Sequence, residues 1–259
     1  MLSSRLASIV GSRWVKSRSA ELLAYETDAL PGYRAQPRLA GFPGAREELI
    51  AVVRVLAELD VMFVPRGAGT GLSGGALSDS TVLLGLNRLT RIIEVDGPNR
   101  VAHVEPGVVN ARLSRMVAPL GLHYAPDPSS QTVCTIGGNV AENAGGPHCL
   151  KYGVTLNHVV ALDVVLPNGD VRRFGDPYGE ADGYDLLGLF VGSEGCFGVA
   201  TDVWVRLVPI PQAIRTLLAD FHSVHDAASA VTSIVATGIV PAALEMMDNA
   251  TIRAIEASI

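Results

Sequence analysis

A mixed α+β fold is predicted by three features of the sequence. One long amphipathic helix, several short strands closed by Gly/Pro/Asn turns, and clustered glycines without regular period alternate along the chain. The 259 residues suffice for one large domain or two small ones around a sizeable core. At 48% hydrophobic and 18% charged residues, disorder is excluded on composition.

Residues 1–60 read as mostly helical. SSRLASIVGSRWVKS and SAELLAYETDAL have helical apolar spacing, and Pro31, Gly32, Pro37, Pro43 and Gly44 punctuate an extended connector. AREELIAVVRVLAELD repeats apolar residues at three- and four-residue intervals, so its stripe is a core face. VMFVP (61–65) is a short buried strand that leads into RGAGTGLSGGALSDS. TVLLGLNRL and RIIEVDGPNRVAHVEPG are strand-like, with a turn at Asp96–Asn99. VVNARLSRMVAPLG is a helix that stops at Gly121. Next comes PDPSSQTVCTIGGNVAENAGGPHCLKYGVT, which has neither helical nor strand period, then a hairpin, VVALDVVLPNGDVRRF. GLFVGSEGCFGV is a loop and ATDVWVRLVPIP a strand. After Pro211 the pattern restarts with TLLADF as strand, SVHDAASAVTSIVATG as helix, IVPAALEMM as strand and DNATIRAIEASI as the start of a helix. That restart reads as the opening of a further domain, cut short.

A net charge of −6 argues against nucleic acid as a partner. No stretch approaches 18 uncharged apolar residues, so no membrane span is expected. The N-terminal segment reads as a helix rather than a signal peptide. Cys134, Cys149 and Cys196 form no CxxC spacing and an odd count, which fits a reduced, cytoplasmic protein.

Pro65-Arg66-Gly67-Ala68-Gly69-Thr70-Gly71-Leu72-Ser73-Gly74-Gly75 follows a strand directly. Five glycines in nine residues serve neither helix nor strand stability. They suit a backbone that turns repeatedly through positive φ and aims successive N–H groups at one anion, a nest for phosphate or pyrophosphate. Arg66, Thr70 and Ser73 are further candidate donors. The GxGxxG at Gly69, Gly71 and Gly74 is a weak signal for a nicotinamide site, because a strand rather than a helix follows it. The alternative of a plain flexible surface loop stays open on this motif alone. A second constellation, Pro126–Ser130 and Thr135–Gly146, carries two Gly-Gly pairs among small and amide residues. A stretch of this length without regular structure is usually functional, and it suits a wall along a flat, extended ligand.

Together VPRGAGTGLSGG, PDPSSQTVCTIGGNVAENAGGPHCLKYGVT and FVGSEGCFGVATDVWVRL resemble the FAD-binding domain of the vanillyl-alcohol-oxidase / p-cresol-methylhydroxylase superfamily, in its branch of glycolate oxidases and D-lactate dehydrogenases. The resemblance covers roughly residues 25–210, and 211–259 resembles the start of that branch's substrate (cap) domain, ferredoxin-like in fold. It implies an N-terminal helical segment (1–37) and an FAD-binding domain (38–210). That domain would have a small α/β lobe (about 38–100) and a larger antiparallel-sheet lobe (about 101–210), with FAD between them.

For cofactor contacts the resemblance implies Pro65, Arg66, Gly67, Ala68, Gly69, Thr70, Gly71, Leu72 and Gly74 at the pyrophosphate. Pro126, Asp127, Pro128 and Ser130 would lie along the cofactor, with Thr135, Ile136, Gly137, Gly138, Ala141, Asn143, Ala144, Gly145 and Gly146 at pyrophosphate and flavin. Tyr152, Gly153 and Val154 would close that wall, and Glu194, Gly195, Gly198 and Val199 would reach the adenosine side. The first loop has no His, so non-covalent FAD is implied.

The activity implied is hydride transfer from the α-carbon of a 2-hydroxy acid, glycolate or D-lactate, to flavin N5. The groups that clamp and activate substrate belong chiefly to the cap in this family, and no His cluster of that kind is found here. The chain is therefore expected to bind FAD and turn over little substrate, with an electron acceptor or partner subunits as further partners. A non-catalytic FAD-binding subunit of a glycolate-oxidase-like complex is the alternative.

Among single residues, His148 and Cys149 read as wall residues, and His222 and His225 carry no metal ligation despite their HxxH spacing. Cys134 and Cys196 read as small buried residues, and Asp163 as a hydrogen-bonded internal acid. No catalytic residue and no metal site are assigned.

Overall fold

The computed structural model describes residues 1–30, 32–179 and 183–258. Its strands are β1 (Val15–Lys16), β2 (Leu39–Gly41), β3 (Phe63–Arg66), β4 (Val82–Gly85), β5 (Ile92–Asp96), β6 (Val101–Val104), β7 (Leu122–His123), β8 (Val159–Val165), β9 (Val171–Gly175), β10 (Val199–Arg206) and β11 (Val208–Pro209). The helices are α1 (Leu2–Val10), α2 (Ser19–Leu22), α3 (Arg46–Glu58), α4 (Asn110–Val117), α5 (Ile136–Glu142), α6 (Cys149–Tyr152), α7 (Leu186–Phe190), α8 (Val224–Ala236) and α9 (Asn249–Glu256).

Two sheets organise the chain. In the first, ordered β1-β2-β4-β3, β4 runs parallel to both β2 and β3, and β1 joins β2 antiparallel. A parallel neighbour needs a crossover, and α3 supplies it between β2 and β3. Leu49, Val52, Val53 and Leu56 recur at helical spacing on α3 and are fully buried. They pack with Leu6 and Val10 of α1 and with Val82 and Leu84 of β4. Asp60 ends the helix in the left-handed region (φ 51).

The second sheet, ordered β5-β6-β10-β8-β9, is antiparallel throughout. Its inner face buries Val104, Leu162, Val203 and Val205 against α4 and α5. β7 and β11 form a separate two-stranded ribbon. This is a small α/β unit beside a larger antiparallel one.

Several expectations change. β5 belongs to the second sheet, so the change of sheet falls between Gly85 and Ile92 rather than near residue 100. Asn99, bonded to Asp96 through its N–H and its amide, closes a tight hairpin that keeps β5 beside β6. β1 and β2, read as helix and connector, pair at the edge of the first sheet. The stretch read as irregular contains α5, started by Thr135, whose Oγ1 accepts from Gly138 N–H at 3.2 Å. The loop expected at 188–199 begins inside α7, which Asp185 caps by accepting from Gly188 N–H. TLLADF and IVPAALEMM form no strand among the described residues, although α8 and α9 do form. A strand needs a neighbour for its backbone groups, and among the described residues no partner strand lies beside these segments. Almost every described residue from 211 onward is exposed. Cys196 is exposed rather than buried, because it sits on the surface turn between Ser193 and Gly198.

The two sheets are joined by a shared core and a buried ionic knot. Val165 and Val199, from β8 and β10, pack into the α3 core. At the start of α3, Arg46 Nη1 lies 2.9 Å from carboxylate oxygens of both Asp163 and Asp202. Arg173 holds the other side of Asp163 with two hydrogen bonds, and His103 Nε2 meets Asp202 at 2.9 Å. Burial opposes ionisation of Asp202, but the hydrogen bonds from His103 and Thr201 and the Arg46 charge hold its carboxyl below the usual range.

Arg46→Ala strips two buried carboxylates of a shared cation that is itself 34% exposed. The expected loss is about 2–3 kcal/mol, below the ~3–5 kcal/mol of a fully buried pair because solvent screens Arg46, measured by urea denaturation. Asp202 binds protons more weakly folded than unfolded, so its contribution is present above the unfolded carboxylate pKa. It is lost as pH falls below about 4, and the urea midpoint of Asp202→Asn should depend less on pH there.

Candidate functional site

A cleft of about 320 Å³ opens between the two sheets, within the ~300–1,000 Å³ range of small-molecule sites. Three separate stretches of sequence meet in it: 65–76 after β3, 128–145 around α5, and 190–200 between α7 and β10.

The first stretch is fixed from below. Arg66 is 9% exposed, and its guanidinium donates to Thr27 O (2.8 Å) and Ala76 O (3.2 Å). Burial pulls its pKa below the ordinary arginine value, opposed by the nearby Asp28 charge. Arg66 is thus a clamp inside the loop rather than a free donor in the cleft. Gly69, at φ 69, lies against that guanidinium, where a Cβ would collide with it. Gly74 N–H donates to Asp28 Oδ2 and Ala29 N–H to Gly71 O, both at 3.1 Å, tying the loop to the N-terminal connector.

Held this way, the loop leaves its own donors free. The N–H groups of Gly67, Ala68, Gly69, Thr70, Gly71, Leu72 and Ser73 have no acceptor among the described residues. The first six of these residues line the cleft. Unpartnered amides along a cleft wall can serve an anion as donors, although the repeated positive φ expected of this loop is confined to Gly69 and Gly74. By contrast α5 has little to offer from its N-terminus. Ile136 and Gly137 donate to Val108 O and Pro106 O, and Gly138 to Thr135 Oγ1. Gly137 lets the helix touch Pro106, where a Cβ would come within 2.6 Å of Pro106 Cβ.

α5 contributes a face instead. Thr135, Gly138, Asn139 and Glu142 recur at i, i+3, i+4 and i+7 and all line the cleft. Asn139 is 2% exposed, and its Nδ2 is a buried donor without a partner among the described residues. Glu142 accepts from Ser73 Oγ at 2.7 Å. Glu194, at φ 53, donates its N–H to Ala141 O, and Gly195 packs on Pro65, so the third stretch closes on the other two.

Of the residues expected at the cofactor, Pro65–Leu72, Pro128, Ser130, Thr135, Gly137, Gly138, Ala141, Ala144, Gly145, Glu194, Gly195, Gly198 and Val199 line the cleft. Gly74, Pro126, Asp127, Ile136, Asn143, Gly146, Tyr152, Gly153 and Val154 do not line it. Four of them brace neighbouring segments: Pro126 O accepts from Asn110, Asp127 holds His148, Asn143 Oδ1 accepts from Leu156 N–H, and Ile136 is core. Residues not anticipated at the cleft include Leu86, Pro106, Phe190 and Ala200, whereas Gly75, Ser129, Asn139 and Glu142 fall within the stretches expected to form its wall. The helical period of TIGGNVAE was the signal for Asn139 and Glu142. The buried Cys134 also lines the cleft, and burial pushes its thiol pKa up.

A cleft whose glycine-rich lining carries amides without acceptors among the described residues suits the phosphates of a nucleotide-type cofactor. The chain belongs to the FAD binding domain family, which matches residues 37–175, and FAD is the cofactor the cleft fits. Residues 210–259 match the C-terminal domain of FAD linked oxidases. Glycolate oxidase subunit GlcD of Escherichia coli (strain K12) is 50% identical over 237 residues, 91% of this chain and 48% of the relative. A D-lactate dehydrogenase of Anaerostipes hadrus is 35% identical over 218 residues, 83% of this chain and 46% of that protein. The chain thus spans about half the length of the curated relatives it matches. The crystal structure of p-cresol methylhydroxylase shares the fold, with a TM-score of 0.77 at 22% identity over 90% of this chain and 48% of that one.

Gly69→Ala forces a side chain into a positive-φ position and against Arg66. Its FAD affinity should fall by at least ~10-fold, about 1.4 kcal/mol, in a fluorescence titration. Glu142→Gln removes a carboxylate beside the nest and should tighten FAD binding a few-fold in the same titration.

Proposed function

We propose that this chain is the FAD-holding part of a flavin-dependent 2-hydroxy-acid dehydrogenase or oxidase of the glycolate or D-lactate type. The observation that carries the reading is the row of amides from Gly67 to Leu72, which line the cleft and have no acceptor among the described residues. The names of the relatives supply the substrate class. When bound, FAD supplies the acceptor for a hydride leaving the α-carbon of the acid.

In this reading the loop Pro65–Leu72 grips the pyrophosphate and the α5 face carries the cofactor's middle. The wall of Pro128–Ser130, Ala144 and Gly145 lies along the flavin, braced by Pro126, Asp127, Gly146 and Tyr152–Val154, and Glu194, Gly195, Gly198 and Val199 lie along the adenosine. The donors offered are backbone amides and the Asn139 amide, which suit a neutral grip on an anion. No histidine lies in the glycine loop, which supports non-covalent binding. The division proposed is an N-terminal segment (1–37), an FAD-binding domain (38–210) and the start of the substrate domain (211–259). No described helix is long and apolar enough to cross a membrane. Three free cysteines support a cytoplasmic location. An external electron acceptor or a further protein partner completes the cycle.

Purified protein incubated with FAD should turn yellow and release all its flavin into the supernatant on acid precipitation. Glycolate or D-lactate should bleach it only slowly without air. A protein that stays colourless, or that takes NADH and no flavin, overturns the reading.

A further inference from the structure

The chain leaves the larger sheet through the ribbon of β7 and β11. Two residue pairs form it, His123 with Val208 and Leu122 with Pro209. Three backbone bonds frame it: Arg206 N–H donates to His158 O (2.6 Å), Leu207 N–H to Arg100 O (2.7 Å) and Ile210 N–H to Gly121 O (2.9 Å). From residue 211 onward almost every described residue is exposed, so the ribbon is the last firm anchor of the chain. Two strands alone are marginal, and the hold rests on Leu122, Tyr124 and Leu207, which are buried in the core of the larger sheet.

Two histidines stand at this anchor. His158 is 4% exposed, and its Nε2 lies 2.8 Å from Tyr152 O. A carbonyl only accepts, so Nε2 carries the hydrogen and Nδ1 the lone pair. That Nδ1 is buried without a partner among the described residues, and so is Nδ1 of His123 on β7 itself. The charged form of either ring carries a hydrogen on Nδ1 as well. A proton taken up there becomes a buried donor with no acceptor, which the folded ribbon opposes.

The groups around the two rings act in the same sense. Burial lowers the pKa of His123; the Val208 backbone and the Asp127 charge favour its cation, and the His158 and His148 rings oppose it. Burial likewise lowers that of His158, where hydrogen bonding to backbone favours the cation and the Arg206 charge opposes it. Tyr152 touches both, its ring edge-on to His123 at 5.9 Å and its carbonyl bonded to His158. Lys151 lies over the Tyr152 ring, and the Tyr124 ring meets His158 edge-on at 6.2 Å.

We propose that His123 and His158 make the β7–β11 ribbon an acid-sensitive latch, closed while both rings are neutral and released as they take up protons, whether or not a cofactor is bound. Both rings bind protons more weakly in the closed ribbon than in an opened, solvated one, so opening draws protons from solution. The latch is strongest above the ordinary imidazole value, near pH ~6.5, and weakens as pH falls below it. Between that value and the lowered one, the opening equilibrium rises by up to ~10-fold per pH unit for each ring. Opening frees the exit of the chain toward residues 211–259.

Hydrogen exchange of the full chain, compared at about pH 7 and about pH 5 and corrected for the intrinsic pH dependence of exchange, tests the latch. On acidification the Arg206, Leu207 and Ile210 amides should lose at least ~10-fold more protection than the Leu162 and Val203 amides of the sheet core. His123→Gln and His158→Gln should each shrink that difference, and the double variant should abolish it. His123 lies at the ribbon surface, so His123→Gln gives the answer even where His158→Gln does not fold. Ribbon amides that keep the same protection at both pH values overturn the latch, as does a loss that the core amides share equally. A wild-type pH effect kept in full by His123→Gln overturns the pairing of the two rings.

Discussion

Everything in the cleft depends on one buried cation. A loop with five glycines in nine residues has no conformation of its own to prefer, and its amides would otherwise turn to water. The Arg66 guanidinium, bonded to Thr27 O and Ala76 O, pins the loop from within. It ties the two ends of the turn to a segment about forty residues upstream and leaves the N–H groups of Gly67–Ser73 without acceptors among the described residues. The desolvation of a charge is offset here by two carbonyl bonds and the nearby Asp28. Preorganisation is the gain, since a nest held in place loses little entropy when an anion arrives.

The loop would be useless if the sheets that carry its two sides drifted. Arg46 prevents this by sitting at the head of α3 and reaching Asp163 and Asp202 on the second sheet. Close approaches reinforce it. Gly107 lies where a Cβ would strike the carbonyl oxygens of Leu86 and Leu89, and Gly137 lies on Pro106. Both contacts set the segments after β4 and β6 against α5, so that the cleft walls are fixed by packing as well as by charge.

How much of this could be read from the residues follows from where each signal resides. The long helix α3 and the hairpins at Asp96–Asn99 and Asn168–Gly169 were legible because their cause is local, in period and turn chemistry. The two sheets and the FAD cleft were legible through three motifs in order. α5 was not, since two adjacent glycines hide a helical face that Thr135, Asn139 and Glu142 still mark. The clamp role of Arg66 and the bracing roles of Pro126 and Asn143 depend on partners far away in sequence, and no local pattern announces them. The strands expected after Pro211 failed for the opposite reason, a correct local pattern without a neighbour to pair with.

The nest has one more consequence. The donors it offers are peptide amides held from within by Arg66, with no exposed lysine or arginine among the described lining residues. Sites built on mobile surface cations lose hold as ionic strength rises, because counterions compete for each charge. Amides held at fixed angles offer those ions no such foothold. If this loop holds FAD as proposed, cofactor retention should follow the loop's shape and vary little with the salt around it.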